Sequence, residues 1–142
     1  TEVRTVLERS DILVELIVSG YGLSGIEGMA LGKPVISNFQ GDTSVLKYYS
    51  YLDECPVVQA NIETIYEKLK WLIENPAARR QIGERSRRYA EKYHSYLSQQ
   101  IIWDQIYRKI WHGEKVDLMM LFHPLFGRYT KLYDEYLAQG AQ

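Results

Sequence analysis

The chain predicts an α/β fold in which a mainly parallel sheet lies between helices as a three-layer sandwich, followed by further helices at the C-terminal end. Three observations carry this. Short branched apolar runs alternate with helical patterns, the order expected when parallel strands are joined by helical crossovers. The first run, "DILVELIV" at residues 11–18, is almost free of polar residues, as a strand buried on both faces requires. At 142 residues and 46% hydrophobic content, the chain can bury one sizeable core.

The elements follow in order. "TEVRTVLERSD" is charged and helix-like and runs straight into the first strand without a leading methionine, which suggests a piece of a longer chain. Glu15 interrupts that strand and has two readings: a paired structural carboxylate, or a group at the strand's end facing a ligand cleft. Residues 23–31 form a short helix, which Gly32 closes in a left-handed cap because Pro34 cannot continue it. "PVISNF" is a second strand, residues 43–51 are a weak helix or loop, and "CPVVQA" at 55–60 is a third strand. Asn61 is expected to N-cap "IETIYEKLKWLIEN", where Ile62, Ile65, Leu69 and Leu72 keep helical spacing. Pro76 opens a helix with Ile82, Tyr89 and Tyr93 on one stripe, and after a break near Ser95 "LSQQIIWDQIYRKIW" continues as another.

Composition excludes some functions. A formal net charge of -1 gives no basic excess of the kind nucleic-acid binding shows. Cys55 is the only cysteine, so no internal disulfide forms, and the expected setting is the reducing cytoplasm. No apolar run reaches the roughly 18 residues of a membrane-spanning helix, and the first residues lack the basic-then-apolar order of a signal peptide. No metal-ligand cluster is visible in the sequence, and no cofactor is expected.

The stretch "SGYGLSGIEGMALGKPVIS", residues 19–37, carries the chemistry. Gly20, Gly22 and Gly25 spell G-x-G-x-x-G after a strand and before a helix, as in a dinucleotide-binding turn. The acid that would bind a ribose in that unit should end the second strand, whereas Asp42 lies in the loop beyond Phe39. The glycines can also serve only a tight turn and close helix-to-strand packing. Glu27 supports a third reading, because it lies about one helical turn above the helix N-terminus. A nucleotide sugar needs both features: backbone N–H groups aimed at a diphosphate, and an acceptor-only carboxylate for two neighbouring ribose hydroxyls.

"GYGLSGIEGMALGKPVIS" resembles the donor-binding signature of retaining GT-B glycosyltransferases of the glycosyl transferase group 1 family. In that family a Gly-aromatic-Gly-Leu loop precedes Glu-x-Met-Ala and then Gly-(Lys or Thr)-Pro-Val-(Ile or Val), matched here from Gly20 through Ile36. The strand before the motif and "NPAARRQIGERSRRYAEKYH" after it also look like the family's, so the match covers most of residues 5–112. The resemblance implies a Rossmann-like, nucleotide-sugar-binding domain over residues 1–112 and a helical extension over 113–142. It implies that Glu27 binds the nucleotide ribose and that Gly20, Tyr21, Gly22, Leu23 and Ser24 meet the diphosphate and the transferred sugar. The family's first glutamate, eight residues before the second, is Ser19 here, whose shorter hydroxyl would face the sugar instead.

The implied function is the donor-binding half of a glycosyltransferase that moves a sugar from a nucleotide-sugar, its substrate, to a bacterial glycan or lipid-linked acceptor. The acceptor-binding N-terminal domain is missing, so no catalytic residue is assigned and no transfer is expected of these residues alone. A degenerate, non-catalytic relative kept for binding or assembly is the alternative. His94, His112 and His123 are read as surface or packing residues. Arg79, Arg80, Arg85, Arg87 and Arg88 alternate with Glu84 and Glu91, a solvated, paired helix face or a patch for peripheral contact with the inner face of a membrane. The tail crowds Ile101, Ile102, Trp103, Ile106, Ile110, Trp111, Leu118, Met119, Leu121, Phe122, Leu125 and Phe126 together, and self-association through residues 101–137 is expected.

Overall fold

The structure, a computed structural model, describes residues 2–17, 20–39, 52, 54–121 and 128–140. The described chain is mixed α/β: α1 (Glu2–Arg9), β1 (Leu13–Val14), α2 (Leu23–Ala30), β2 (Val35–Ser37), β3 (Val58–Gln59), α3 (Ile65–Glu74), α4 (Pro76–His94), α5 (Tyr96–Trp111), α6 (Leu118–Leu121) and α7 (Arg128–Gly140). It forms two compact units, Thr1–Thr43 with Cys55–Glu91 and Ser44–Glu54 with Lys92–Gln142, so the last residues of α4 belong to the second. The expected helix or loop at 43–51 lies outside the described residues.

In the first unit the strands run parallel in the order β1-β2-β3, with Leu13 opposite Val35 and Ile36 opposite Val58. The sheet is small. Among the described residues of the expected 11–18 strand, only 13 and 14 are strand, because the chain leaves the ladder after Glu15, whose N–H still donates to the Ile36 carbonyl at 2.9 Å. Val14 is 43% exposed, so β1 is not buried on both faces as the apolar run predicts.

Strand β2 is covered on both faces, since successive side chains point to opposite sides. On one face Leu13 and Val35 meet α2 at Gly28, where an added Cβ would fall 2.6 Å from the Leu13 side chain. On the other, the fully buried Ile36 packs with Ala60 and Leu72 of α3, flanked by Ile12, Ile17, Val58, Ile65, Leu69 and Ile82. Each such fully buried aliphatic side chain contributes roughly 1.5–3 kcal/mol.

Helix α2 ends as its sequence predicts. Gly32 has φ +69, its N–H donates to the Met29 carbonyl, and the Lys33 N–H donates to that of Gly28, which is the bond pattern of a Schellman turn. Helix α3 begins later than expected. The Asn61 side chain accepts from the N–H groups of Glu63 and Thr64, building a turn over 61–64 before the helix opens at Ile65. Ile62 is therefore 83% exposed and not on the buried stripe. The break at 95 is as predicted: the Ser95 hydroxyl accepts from the Ser98 N–H and caps α5.

The second unit holds together through α5, α7 and the end of α4. The Tyr93 and Tyr129 rings stack at 5.3 Å, and the Tyr129 hydroxyl donates to the Lys92 carbonyl. Tyr136 donates to Asp104, a carboxylate held below its ordinary range mainly by that bond.

Candidate functional site

The site residues gather where β1 and β2 end, because β1, loop, α2 and β2 form one parallel unit whose loop lies at the carboxyl edge of the sheet. The loop is pinned there by backbone bonds. Gly20 donates to the Asn38 carbonyl at 2.6 Å, and the buried Ser37 hydroxyl shares its proton between the carbonyls of Leu16 and Gly20, at 2.7 and 2.6 Å. Gly20 has φ +82, and a Cβ there would lie 3.1 Å from the Phe39 ring, so backbone conformation and space both require glycine.

Tyr21 is anchored from two sides. Its ring meets that of Phe39 edge-on at 5.7 Å, and its hydroxyl lies 2.7 Å from that of Tyr89 on α4. Burial drives the Tyr89 phenol far above its ordinary value, so it remains a neutral hydrogen-bonding partner. Burial also pushes the neighbouring Cys55 thiol up, against hydrogen bonds to the Val57 backbone and the two tyrosines.

Helix α4 fixes the far end of α2 as well. An added Cβ at Gly83 would fall 2.1 Å from the Gly32 carbonyl oxygen, so the two backbones are in direct contact. Arg87 donates to the Ala30 carbonyl at the C-terminus of α2 and pairs with Glu91 at 2.6 Å, while Arg79 caps α3 through the Leu72 and Ile73 carbonyls. Two of the five arginines of this helix are thus tied to helix ends.

The sequence-predicted residues divide as follows. Gly22 is the N-cap of α2 and offers it no side chain. Leu23 is 72% exposed, and Glu27 is exposed one turn further along, with no side-chain partner among the described residues. Ser24 turns aside: its hydroxyl donates to the Glu15 carboxylate, 2.9 and 2.8 Å from the two oxygens. Ser19 lies outside the described residues. The structure therefore brings Gly20, Tyr21, Gly22, Ser24 and Glu27 to one strand–loop–helix corner.

No family model, curated protein or solved structure matches this chain. What the corner can do rests on its geometry.

Glu15 has a partner, Ser24, as the first of its sequence readings expects, and it lies beside the start of α2: Oε1 is 3.2 Å from where a Cβ of Gly22 would be, and Cγ 3.5 Å from that of Gly25. Sequence reasoning missed Ser37, Phe39 and Tyr89 as parts of the corner. A serine closing the apolar strand "PVIS" was the one local signal, and the other two are brought in by long-range packing. Among the described residues no group of His, Cys, Asp or Glu is placed to hold a metal ion, and no helix is long and apolar enough to cross a membrane. His94, half-buried, is held below its ordinary pKa by burial, and His112 is the exposed C-cap of α5.

Proposed function

We propose that this chain is the donor-binding half of a glycosyltransferase, a Rossmann-like sandwich that receives a nucleotide-sugar at the carboxyl edge of its sheet. The observation that carries the reading is the corner itself: the N-terminus of α2 at the ends of β1 and β2, with Glu27 exposed about one turn above it. In open α/β sheets ligands bind outside the carboxyl ends of the strands, and a helix N-terminus favours phosphate. On this reading the loop Gly20–Ser24 faces the diphosphate and sugar, Glu27 takes the ribose hydroxyls, and Tyr89 and Phe39 hold Tyr21 and the loop in place. Acceptor binding and any peripheral membrane contact are assigned to the whole enzyme, working at the cytoplasmic face.

A second reading, a non-catalytic relative kept for binding or assembly, is favoured by one observation: a carboxylate, Glu15, already stands at the helix end meant for phosphate. A thermal-shift panel of UDP, GDP, ADP and CMP at millimolar concentration tests the donor reading. Stabilisation grows with the logarithm of ligand concentration over dissociation constant, so even weak binding registers. One nucleotide is expected to stabilise the protein clearly above the others; no shift with any of them contradicts the reading.

A further inference from the structure

The second unit holds a cavity of about 270 Å³, lined from α5, α6, α7 and the loop between α5 and α6, with no residue of the strand–loop–helix corner in its wall. Its floor is apolar: Leu121 is buried, and Val116 and Leu132 are half-buried. Its rim is basic, because Lys115 from the loop and Arg128 and Lys131 from α7 border it, all three exposed to solvent.

The walls are tied to the rest of the unit. Gly113 turns the chain at φ +64, the Glu114 N–H donates to the Arg108 carbonyl at 3.2 Å, and the Lys109 ammonium donates to the Val116 carbonyl at 2.7 Å, which holds the loop against α5. Helix α7 packs on both α5 and α6. Its start is anchored by the buried Tyr129, next to Arg128, through the bond to the Lys92 carbonyl.

The acids of the cavity do not neutralise the rim. Glu135 lies 3.9 Å from Lys131, one turn along α7, and Asp117 accepts from the Met119 N–H at 3.0 Å where α6 begins. Lys115 and Arg128 have no acidic partner among the described residues. An exposed cation needs none, but two on the rim of one cavity repel each other, and an anion between them relieves that repulsion.

We propose that this cavity binds a phosphate monoester with an apolar stem, its head between Lys115 and Arg128 and its stem on Val116, Leu121 and Leu132. Such a head carries close to two negative charges above neutral pH and offers three strong acceptor oxygens, so it matches two cations, whereas a carboxylate matches one. The planar fork of Arg128 takes two of those oxygens, and Lys115 supplies a point charge. At about 270 Å³ the cavity is smaller than the roughly 300–1,000 Å³ of sites for drug-sized ligands, so the head and a short length of stem fill it. A soluble ester and a lipid headgroup present this same chemistry. The donor reading plays no part in the inference.

Hexyl phosphate is the probe, titrated by calorimetry into the full chain at low salt and about pH 8, where its head is dianionic. Inorganic phosphate lacks the stem, hexanoate lacks one charge and hexanol lacks both, and hexyl phosphate is expected to bind at least about tenfold more tightly than each. Lys115→Met and Arg128→Gln should each weaken it about tenfold, whereas Lys68→Met, which removes an exposed lysine of α3, should leave it unchanged. Both rim side chains are exposed, so these variants should keep the wild-type melting temperature.

Hexyl phosphate that binds no better than hexanol, or equally well to wild type, Lys115→Met and Arg128→Gln, overturns the proposal. An equal loss in Lys68→Met overturns it too, by reducing the attraction to net charge, and hexanoate as tight as hexyl phosphate overturns the phosphate assignment. Co-sedimentation with phosphatidylcholine vesicles carrying phosphatidate separates the two sources. Binding that both rim variants lose assigns a lipid headgroup; absent or cation-independent vesicle binding, with hexyl phosphate still bound at the rim, assigns a soluble ester.

Discussion

Gly83→Ala is the substitution whose effect the structure defines most sharply. In the middle of a solvent-facing helix the change stabilises by about 1 kcal/mol, because alanine loses less backbone freedom on folding. Gly83 is buried, however, and the new Cβ would lie 2.1 Å from the Gly32 carbonyl oxygen, against 3.4 Å for the start of ordinary contact. The obstacle is backbone and does not swing away. Gly32 is also fixed at φ +69 by the turn that closes α2, so α4 has to retreat by more than an ångström. Overpacking of this kind costs roughly 1–3 kcal/mol, and a rigid obstacle puts the site at or above the upper end. After subtracting the propensity gain, a net loss of about 2 kcal/mol remains, lowering the melting temperature by roughly 5 °C or more.

Urea denaturation with a fitted slope, beside Gly140→Ala as a control with open space around it, measures the difference. Retreat of α4 also strains the Arg87 bond to Ala30 and the Tyr21–Tyr89 contact, so nucleotide affinity should fall together with stability. A Gly83→Ala protein as stable as wild type, or more stable, would refute the close contact of α4 with the α2 turn.

Two further expectations concern the exposed apolar groups of the second unit and the buried tyrosines of both units. Ile110 at 67%, Trp111 at 70% and Met119 at 74% exposure leave large apolar side chains on the surface of the second unit, so Trp111→Ser should weaken self-association in sedimentation; a strictly monomeric wild type at high concentration contradicts this. At high pH the tyrosines decide: burial raises the phenols of Tyr89, Tyr93 and Tyr129 well above their ordinary value and that of Tyr136 to about 12. The fold then favours the neutral forms, so stability is intact below about pH 10 and is lost as the pH rises beyond it. Tyrosinate absorbance should therefore rise in two steps, the later one with unfolding, and a single step near pH 10 would contradict the burial.

Local chemistry was legible in the sequence and distant packing was not. The cap at Gly32 was readable because Gly-Lys-Pro leaves the helix no continuation, and the starts at Pro76 and Ser95 because proline and serine act within one turn. Ile62 was misplaced because i, i+3 spacing continues past the point where the Asn61 side chain builds a separate turn. The apolar run at 11–18 overstated β1 because hydrophobicity does not record that the backbone leaves the ladder after Glu15, whose N–H makes the last bond to β2. At the corner, the glycines and Glu27 were visible as a motif. Tyr89, 68 residues from Tyr21, and Gly83, far along the chain from Gly32, were not, since no local pattern ties residues so far apart.

The central claim is that Glu27 holds a nucleotide's ribose above the N-terminus of α2. Calorimetric titration of wild type and Glu27→Ala with the nucleotide that stabilises the protein most tests it directly, because the change deletes up to two charge-assisted hydrogen bonds of about 1.5–3 kcal/mol each. The substitution lies on an exposed position of α2 and leaves the core untouched, so the variant should fold normally. A loss of affinity of at least about tenfold is expected. Unchanged affinity in the folded variant would contradict it and remove the ribose role from Glu27.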